Sequence, residues 1–440
     1  MKQYDIYKDS GIEWIGEIPD HWEAIPMRFL LRQKITDGPH ETPKFLSDGI
    51  PFLSVDGIQD GELTFEGCRK ISIEDHKRFK QKCTVEKYDI LMGKAASVGK
   101  VAQVKVDFEF SIWSPLALLK PNHKKITSSY FEYFLKSSYA KDNANILSTF
   151  NTQQNISMTD IPRIYYILPI SIDEQTAIAN YLDRKTVEIE ALITDKKRLL
   201  ELYEEEKTAV ISQAVTKGID PNAKMKDSGI EWLGEIPKHW EVKRLKYIAK
   251  VQTGRTPKIQ SSQIDFFENG NINWFTPADF DGNNKLLGSK RLITAEAIEK
   301  NEVELFPEFS IYLVSIGATL GKVSYFDKEA SANQQINIIS FDKGKYNPIF
   351  GYYYLIGNKE MIALEADYTT LPILNQSKTK NLIFVAPSIK EQQSIVRHIE
   401  TECARIDTKI EKTKKLIELL TEYRTALISE VITGKIKVID

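Results

Sequence analysis

The 440-residue sequence is 42% hydrophobic, 27% charged and 10% aromatic, which excludes a disordered chain and predicts two to four folded domains at about 100 to 200 residues each. Its 59 Lys and Arg against 61 Asp and Glu give a formal net charge of -2, so a uniformly basic, nucleic-acid-coating surface is excluded while local basic patches are not. Cys68, Cys83 and Cys403 are odd in number and widely spaced, which argues against a disulfide framework or a zinc ribbon.

The first element is a motif. Residues 8–23, KDSGIEWIGEIPDHWE, return at 226–241 as KDSGIEWLGEIPKHWE, differing only at Ile15/Leu233 and Asp20/Lys238. The chain is therefore duplicated, and the repeat fixes its organisation. Trp14, Trp22, Trp232 and Trp240, at fixed spacing to Ile18-Pro19 and Ile236-Pro237, are expected to pack at a joint rather than to stack on bases. The start, MKQYDIYKDS, has no apolar stretch of the secretory kind, and no run approaches about 18 apolar residues, so a cytoplasmic protein is expected.

After the motif (1–23) comes a globular segment, 24–168. IPFLSV and KVAQVKV read as strands and ITSSYFEYFLKSSY as a helix. Residues 171–217 form a central long helix. A linker with the second copy of the motif (218–241) leads to a second globular segment, 242–387, in which IYLVSIG and INIIS read as strands and NPIFGYYYLIG as a helix. A C-terminal long helix covers 389–434. The globular segments resemble each other only at landmarks: TDGPHETP and QTGRTP, AASVGKV and GATLGKV, NTQQNISMTDIPRIYYILP and ILNQSKTKNLIFVAP.

Both long helices carry apolar residues at heptad spacing. The seam takes in Leu182, Ile189, Ile193, Leu200, Tyr203 and Val210 in the first, and Val396, Ile399, Ile406, Ile410, Ile417, Leu420 and Leu427 in the second. Neither contains Pro or Gly between Asp173 and Lys217 or between Lys390 and Thr433, so each can run for about 65 Å at 1.5 Å per residue. A seam this long needs a partner, and the other copy is the simplest. Antiparallel pairing is expected, because it relates the two halves by a pseudo-two-fold axis. The C-terminal TGKIKVID resembles the TKGID that leads into the second motif, so the termini are expected to lie close together. The expected fold class is α+β: two mixed α/β domains held apart by two long antiparallel helices in a coiled coil.

Catalytic signatures are few. The turns ending in Lys100 and Lys322 lack Walker A spacing and the Ser or Thr after lysine, and read as tight turns whose glycines supply positive φ. Six histidines form no HExxH and no close ligand pair. There is no GxSxG elbow, FxGxG or (N/D)PPY pair. The charge runs KKR at 196 and EEE at 204 read as a solvated helix face.

The paired GIEWIGEIPxHW motifs, LGKV-type turns and PxxxxEQ-to-TKG helices resemble the specificity (S, HsdS-type) subunit of type I restriction-modification systems, over almost the whole chain. The resemblance implies that 24–168 and 242–387 are target-recognition domains, each reading one half of an asymmetric bipartite site in double-stranded DNA. It further implies that the helices act as a spacer and dock two modification (methyltransferase) subunits, with restriction (endonuclease/translocase) subunits as further partners. The chain itself is then non-catalytic and binds no cofactor or metal. S-adenosylmethionine belongs to the methyltransferase subunit, which modifies adenine N6, and ATP and Mg to the restriction subunit. A count fits: 28–163 holds roughly 20 basic against 16 acidic residues, and 171–217 about 7 against 10. Phosphate and base contacts are expected from Lys, Arg, Asn and Gln on loops: Lys44, Lys94, Lys100, Asn151, Gln153 and Gln154 in the first domain, and Arg255, Lys258, Lys322, Asn333, Gln334 and Gln335 in the second. Two alternatives stand beside this reading: a self-contained DNA-modifying enzyme with an unrecognised carboxylate site, and a coiled-coil adaptor that never touches DNA.

Overall fold

A computed structural model describes residues 2–13, 15–95, 97–150, 154–258, 266–282, 285–368 and 371–438. By packing, the chain divides into two units, Met1–Lys197 with Lys415–Asp440, and Arg198–Lys414. Both boundaries fall inside the long helices, Ile172–Lys217 and Ile389–Ile432, so each unit owns one globular domain and a segment of each helix.

In the first unit the repeated motif forms an antiparallel hairpin, Tyr7–Asp9 with Glu17–Pro19. The next strand, Trp22–Pro26, pairs with Tyr165–Pro169, which closes the domain on itself just before the long helix begins. Between these strands lies an antiparallel four-stranded sheet in the order Val101–Gln103, Ile90–Gly93, Leu116–Leu119, Thr36–Asp37. Its central strands are buried on both faces, as their unbroken apolar runs require. A smaller sheet, Ser111–Ile112, Ile50–Leu53, Arg69–Ile71, packs with the helix Ile73–Lys80 through Phe52, Ile71 and Phe79.

The second unit repeats this plan. Met225–Asp227 pairs with Glu235–Pro237, and Glu241–Arg244 with Ile383–Ala386. Its four-stranded sheet runs Val323–Phe326, Ser310–Val314, Ile336–Phe341, Ala249–Thr253, and its smaller sheet Ser331–Ala332, Ile272–Phe275, Leu292–Ile293. In both units the first-named short strand of the smaller sheet is parallel to its neighbour and the third antiparallel. Two segments alike only at landmarks thus share one topology.

The motif and the helix start interlock by hydrogen bonds that the sequence does not announce. Trp22 is fully buried, and its indole Nε1 donates to Glu174 Oε1 at 3.0 Å while His21 Nε2 lies 3.0 Å from Glu174 Oε2. In the second unit Trp240 Nε1 donates to Glu391 Oε1 at 2.9 Å, with His239 Nε2 2.9 Å from Glu391 Oε2. The next residue is a fully buried glutamine in each case. Gln175 accepts from the Thr127 N–H and donates to the Lys125 and Pro169 carbonyls; Gln392 accepts from the Asn347 N–H and donates to the Pro387 carbonyl. The Glu-Gln pair therefore fastens each helix start to a tryptophan on one side and a domain-helix start on the other. Of the four motif tryptophans, Trp22 and Trp240 sit at such a joint, Trp232 is 38% exposed, and Trp14 lies outside the described residues.

Each tryptophan also meets the end of the other helix. Gly434, at φ +75°, sits against Pro19 and Trp22, and Gly218, at φ +77°, against Trp240 and Pro237. In the first unit the start of one helix and the end of the other thus share Trp22, and Glu190 pairs with Arg424 further along. In the second, Lys207 pairs with Asp407 at 2.7 Å and Glu206 with Arg405 at 3.0 Å. Within each unit the helix segments run antiparallel, as expected. Leu182, Ile189, Ile193 and Leu427 are buried in the first unit, with Ile417 and Leu420 packed against them. In the second, Val396, Ile399, Ile406 and Ile410 are buried, and Leu200, Tyr203 and Val210 half-buried. The termini meet: the Lys437 N–H donates to the Lys2 carbonyl at 2.9 Å.

Candidate nucleic-acid interface

Four chain segments converge at one edge of each domain. In the first, the loop after Thr36–Asp37 lies on the end of the smaller sheet so closely that a Cβ on Gly38 would stand 1.8 Å from the Ile112 carbonyl oxygen. The Ser114 N–H donates to the Pro39 carbonyl, and the Lys94 N–H to that of Pro115. The Ile156 N–H closes the set on the Lys94 carbonyl at 2.9 Å. In the second, a Cβ on Gly254 would stand 2.3 Å from the Asn333 carbonyl oxygen. The Arg255 N–H donates to the Ala332 carbonyl, the Ser315 N–H to that of Gln335, and the Leu374 N–H to that of Ser315. By this register Lys94 corresponds to Ser315, and Trp113–Pro115 to Asn333–Gln335.

The expected contact residues fare differently. Lys44 and Lys100 are exposed. Lys94 is buried and its Nζ is 3.3 Å from Asp37 Oδ2, so its charge is directed at a carboxylate inside the domain rather than outward as the sequence reading expected. Asp37 also holds Lys82 at 2.7 Å and His40 at 3.1 Å. Burial pushes the Asp37 carboxyl up, but the Lys82 and Lys94 ammoniums outweigh it and hold the group below the usual carboxylate range. Gln154 is half-buried and donates to Asn145 Oδ1 at 2.8 Å. Asn151 and Gln153 lie outside the described residues.

In the second domain Arg255, Lys258, Lys322 and Gln334 are exposed. The Arg255 guanidinium is 3.8 Å from Glu304, the Lys258 N–H donates to Glu302, and Gln334 hydrogen-bonds to Thr256. Asn333 is buried: its Nδ2 donates to Gln335 Oε1 at 3.1 Å and its Oδ1 accepts from the Gln335 N–H at 3.0 Å. It shapes the turn that presents Gln334 and is not itself presented.

The Lys100 and Lys322 turns join antiparallel strands, with Gly99 at φ +84°, Gly317 at +99° and Gly321 at +86°. No helix follows either turn directly, so neither has the helix N-terminus on which a phosphate loop depends. Among the described residues no group of three His, Cys, Asp or Glu is placed to hold a metal ion, and no helix is long and apolar enough to cross a membrane.

The family model of the type I restriction modification DNA specificity domain matches residues 41–202 and 237–421, one span for each half of the duplication. A chain of Methanocaldococcus jannaschii assigned as the MjaX specificity subunit of a type I restriction enzyme is 25% identical over 457 residues, covering 98% of both chains. Among solved structures, a chain of a type I R-M system studied for complex assembly and conformational transition aligns with a TM-score of 0.71 at 12% identity, covering 95% of this chain and 99% of that one. The HsdS subunit of Thermoanaerobacter tengcongensis aligns at 0.58 and 12% identity, over 95% and 98%. At that identity the two likenesses concern the fold. The chain belongs to the type I restriction-modification DNA specificity family and is a DNA-sequence-recognition subunit of such a system. Specificity subunits are non-catalytic parts of these systems.

Proposed function

We propose that each globular domain reads one half of an asymmetric, interrupted DNA site, and that the two long helices set the gap between the halves and dock two methyltransferase subunits. The observation that carries this reading is one topology built twice with different loops. The turn Trp113–Pro115 of the first domain has Asn333–Gln335 as its counterpart in the second, where Asn333 is buried and Gln334 exposed, and side chains at loop tips are what distinguish base edges. Lys100 and Lys322, exposed in equivalent turns, supply contacts common to both halves and therefore sequence-independent. The bound methyltransferase subunits carry S-adenosylmethionine and modify adenine N6, and restriction subunits with ATP and Mg complete the cleaving complex. Mapping methylated adenines in the host genome yields the bipartite motif. Replacing 242–387 by the matching segment of a relative should change one half of that motif and keep the other and the gap; a change in both halves would refute the modular reading.

A further inference from the structure

One exposed arginine in each domain is held in the same way and forms no ion pair among the described residues. Arg69 opens the strand Arg69–Ile71 of the smaller sheet. Its guanidinium lies 4.6 Å from the ring centre of Phe45 and 5.4 Å from that of Trp113. In the second domain Arg291 stands one residue before the matching strand, Leu292–Ile293. Its guanidinium lies 3.6 Å from the ring of Phe267 and 5.2 Å from that of Trp274. In each case the arginine follows its phenylalanine by 24 residues (45 to 69, 267 to 291). The second ring is not the same residue. Trp113 follows the strand Ser111–Ile112, whereas Trp274 lies within Ile272–Phe275, where the first domain has Phe52. The arginine was kept while its support was rebuilt.

Neither guanidinium is ion-paired among the described residues, whereas nearby Lys70 and Arg78 are. A ring beneath a guanidinium covers its face and leaves its N–H fork directed outward in one plane, the geometry that grips a phosphate or carboxylate with two bonds. The platforms also belong to the candidate interface. Phe45 follows Lys44 on the loop that Gly38 anchors, and Trp274 Nε1 donates to the Arg255 carbonyl at 3.0 Å.

We propose that Arg69 and Arg291 are equivalent clamps on a DNA backbone phosphate, one for each half-site, pre-oriented by their aromatic platforms. This rests on the reading that the domains bind DNA. A residue common to two domains whose reading loops differ contacts what is common to both half-sites, the backbone rather than a base edge.

The test uses the full chain with its modification subunits and two labelled duplexes, one bearing the motif mapped by adenine methylation and one with that motif scrambled. Arg69→Ala and Arg291→Ala should each weaken binding to both duplexes about tenfold and reduce the slope of log K against log salt by about 0.9. Arg69→Lys keeps the charge but loses the fork, so the slope should stay near wild type while affinity falls by a smaller factor. Thermal melts of the variants should match wild type, since the side chain is exposed. Unchanged affinity and slope in both Ala variants would overturn the proposal while leaving the DNA-reading function intact. An altered base preference at unchanged slope would overturn it in favour of base reading. A wild-type complex that does not distinguish the two duplexes would refute the underlying function and the clamp with it.

Discussion

Replacing Glu174 by Ala tests the joint that fastens the first long helix to its domain. Its carboxylate accepts from Trp22 Nε1 and from the Tyr4 hydroxyl, both at 3.0 Å, and faces His21. Trp22 is fully buried, Tyr4 is 8% exposed and the Glu174 side chain 9%, so water cannot readily take the acceptor's place. An orphaned buried donor costs about 1–3 kcal/mol; with two donors lost at one acceptor, about 3 kcal/mol is expected. Glu391 provides the internal control. It serves Trp240 and His239 with no tyrosine counterpart, and its side chain is 25% exposed, so Glu391→Ala should cost about half as much. Guanidinium unfolding followed by tryptophan fluorescence gives both values. At about 2–4 °C per kcal/mol for a unit of this size, Glu174→Ala should lower the melting temperature of its unit by about 6–12 °C. Glu174→Gln retains one oxygen acceptor and should fall between. A Glu174→Ala loss under about 0.5 kcal/mol, or a Gln variant as damaged as the Ala variant, would refute the reasoning.

Lys100→Ala, in the full complex, should weaken binding to every duplex and lower the salt slope by about 0.9, whereas a change in preferred sequence would contradict its placing as a shared contact. Gly434→Ala should destabilise more than Gly218→Ala. Both sit at positive φ, which costs an alanine about 1–2 kcal/mol, but a Cβ on Gly434 would stand 2.4 Å from Pro19 Cδ, against 3.3 Å from Trp240 Cζ2 for Gly218; thermal melts rank them. The ion pairs of Asp37 hold its folded-state pKa below the unfolded value of about 3.9. Its stabilisation is therefore complete above that value and lost as pH falls through the lower folded pKa. Asp37→Asn should flatten the drop of the urea midpoint between about pH 5 and pH 2 relative to wild type.

The duplication, both long helices and their seam could be read from residues alone, because each rests on local periodicity or near-identity. The helices run Ile172–Lys217 and Ile389–Ile432, with no Pro or Gly inside either. The shared topology of the two domains was not legible. Ile50–Leu53 and Ile272–Phe275 occupy the same place in the smaller sheets with Phe52 set where Trp274 stands, and what a sheet needs at that place is bulk and burial rather than identity. The same limit governs the candidate site. Exposure of a lysine depends on long-range neighbours: nothing in GKAAS says that Lys94 turns to Asp37, 57 positions earlier, and nothing in ANQQ says that Asn333 is spent on Gln335. A signal was present for Arg69 and Arg291, since RKIS and RLIT precede helices in both halves, but cation–aromatic stacking across a sheet has no sequence period.

Residues retained between the halves of one chain separate by burial into two kinds, and the separation bears on function. Trp22 and Trp240, Gln175 and Gln392 are fully buried, and hydrogen bonds within the unit account for their polar groups; the fold explains their retention without any partner. Lys100 and Lys322, Arg69 and Arg291 are exposed. Rings support the two arginines and the Lys322 Nζ reaches the Phe280 carbonyl, but an exposed position tolerates most substitutions at little cost in stability. On the proposed reading, the constraint on them lies in something that meets both domains alike. Duplex DNA offers such a surface: its phosphates repeat along both half-sites whatever the bases between them, so under the proposal the loops diverge to read different sequences while these four cations keep one task.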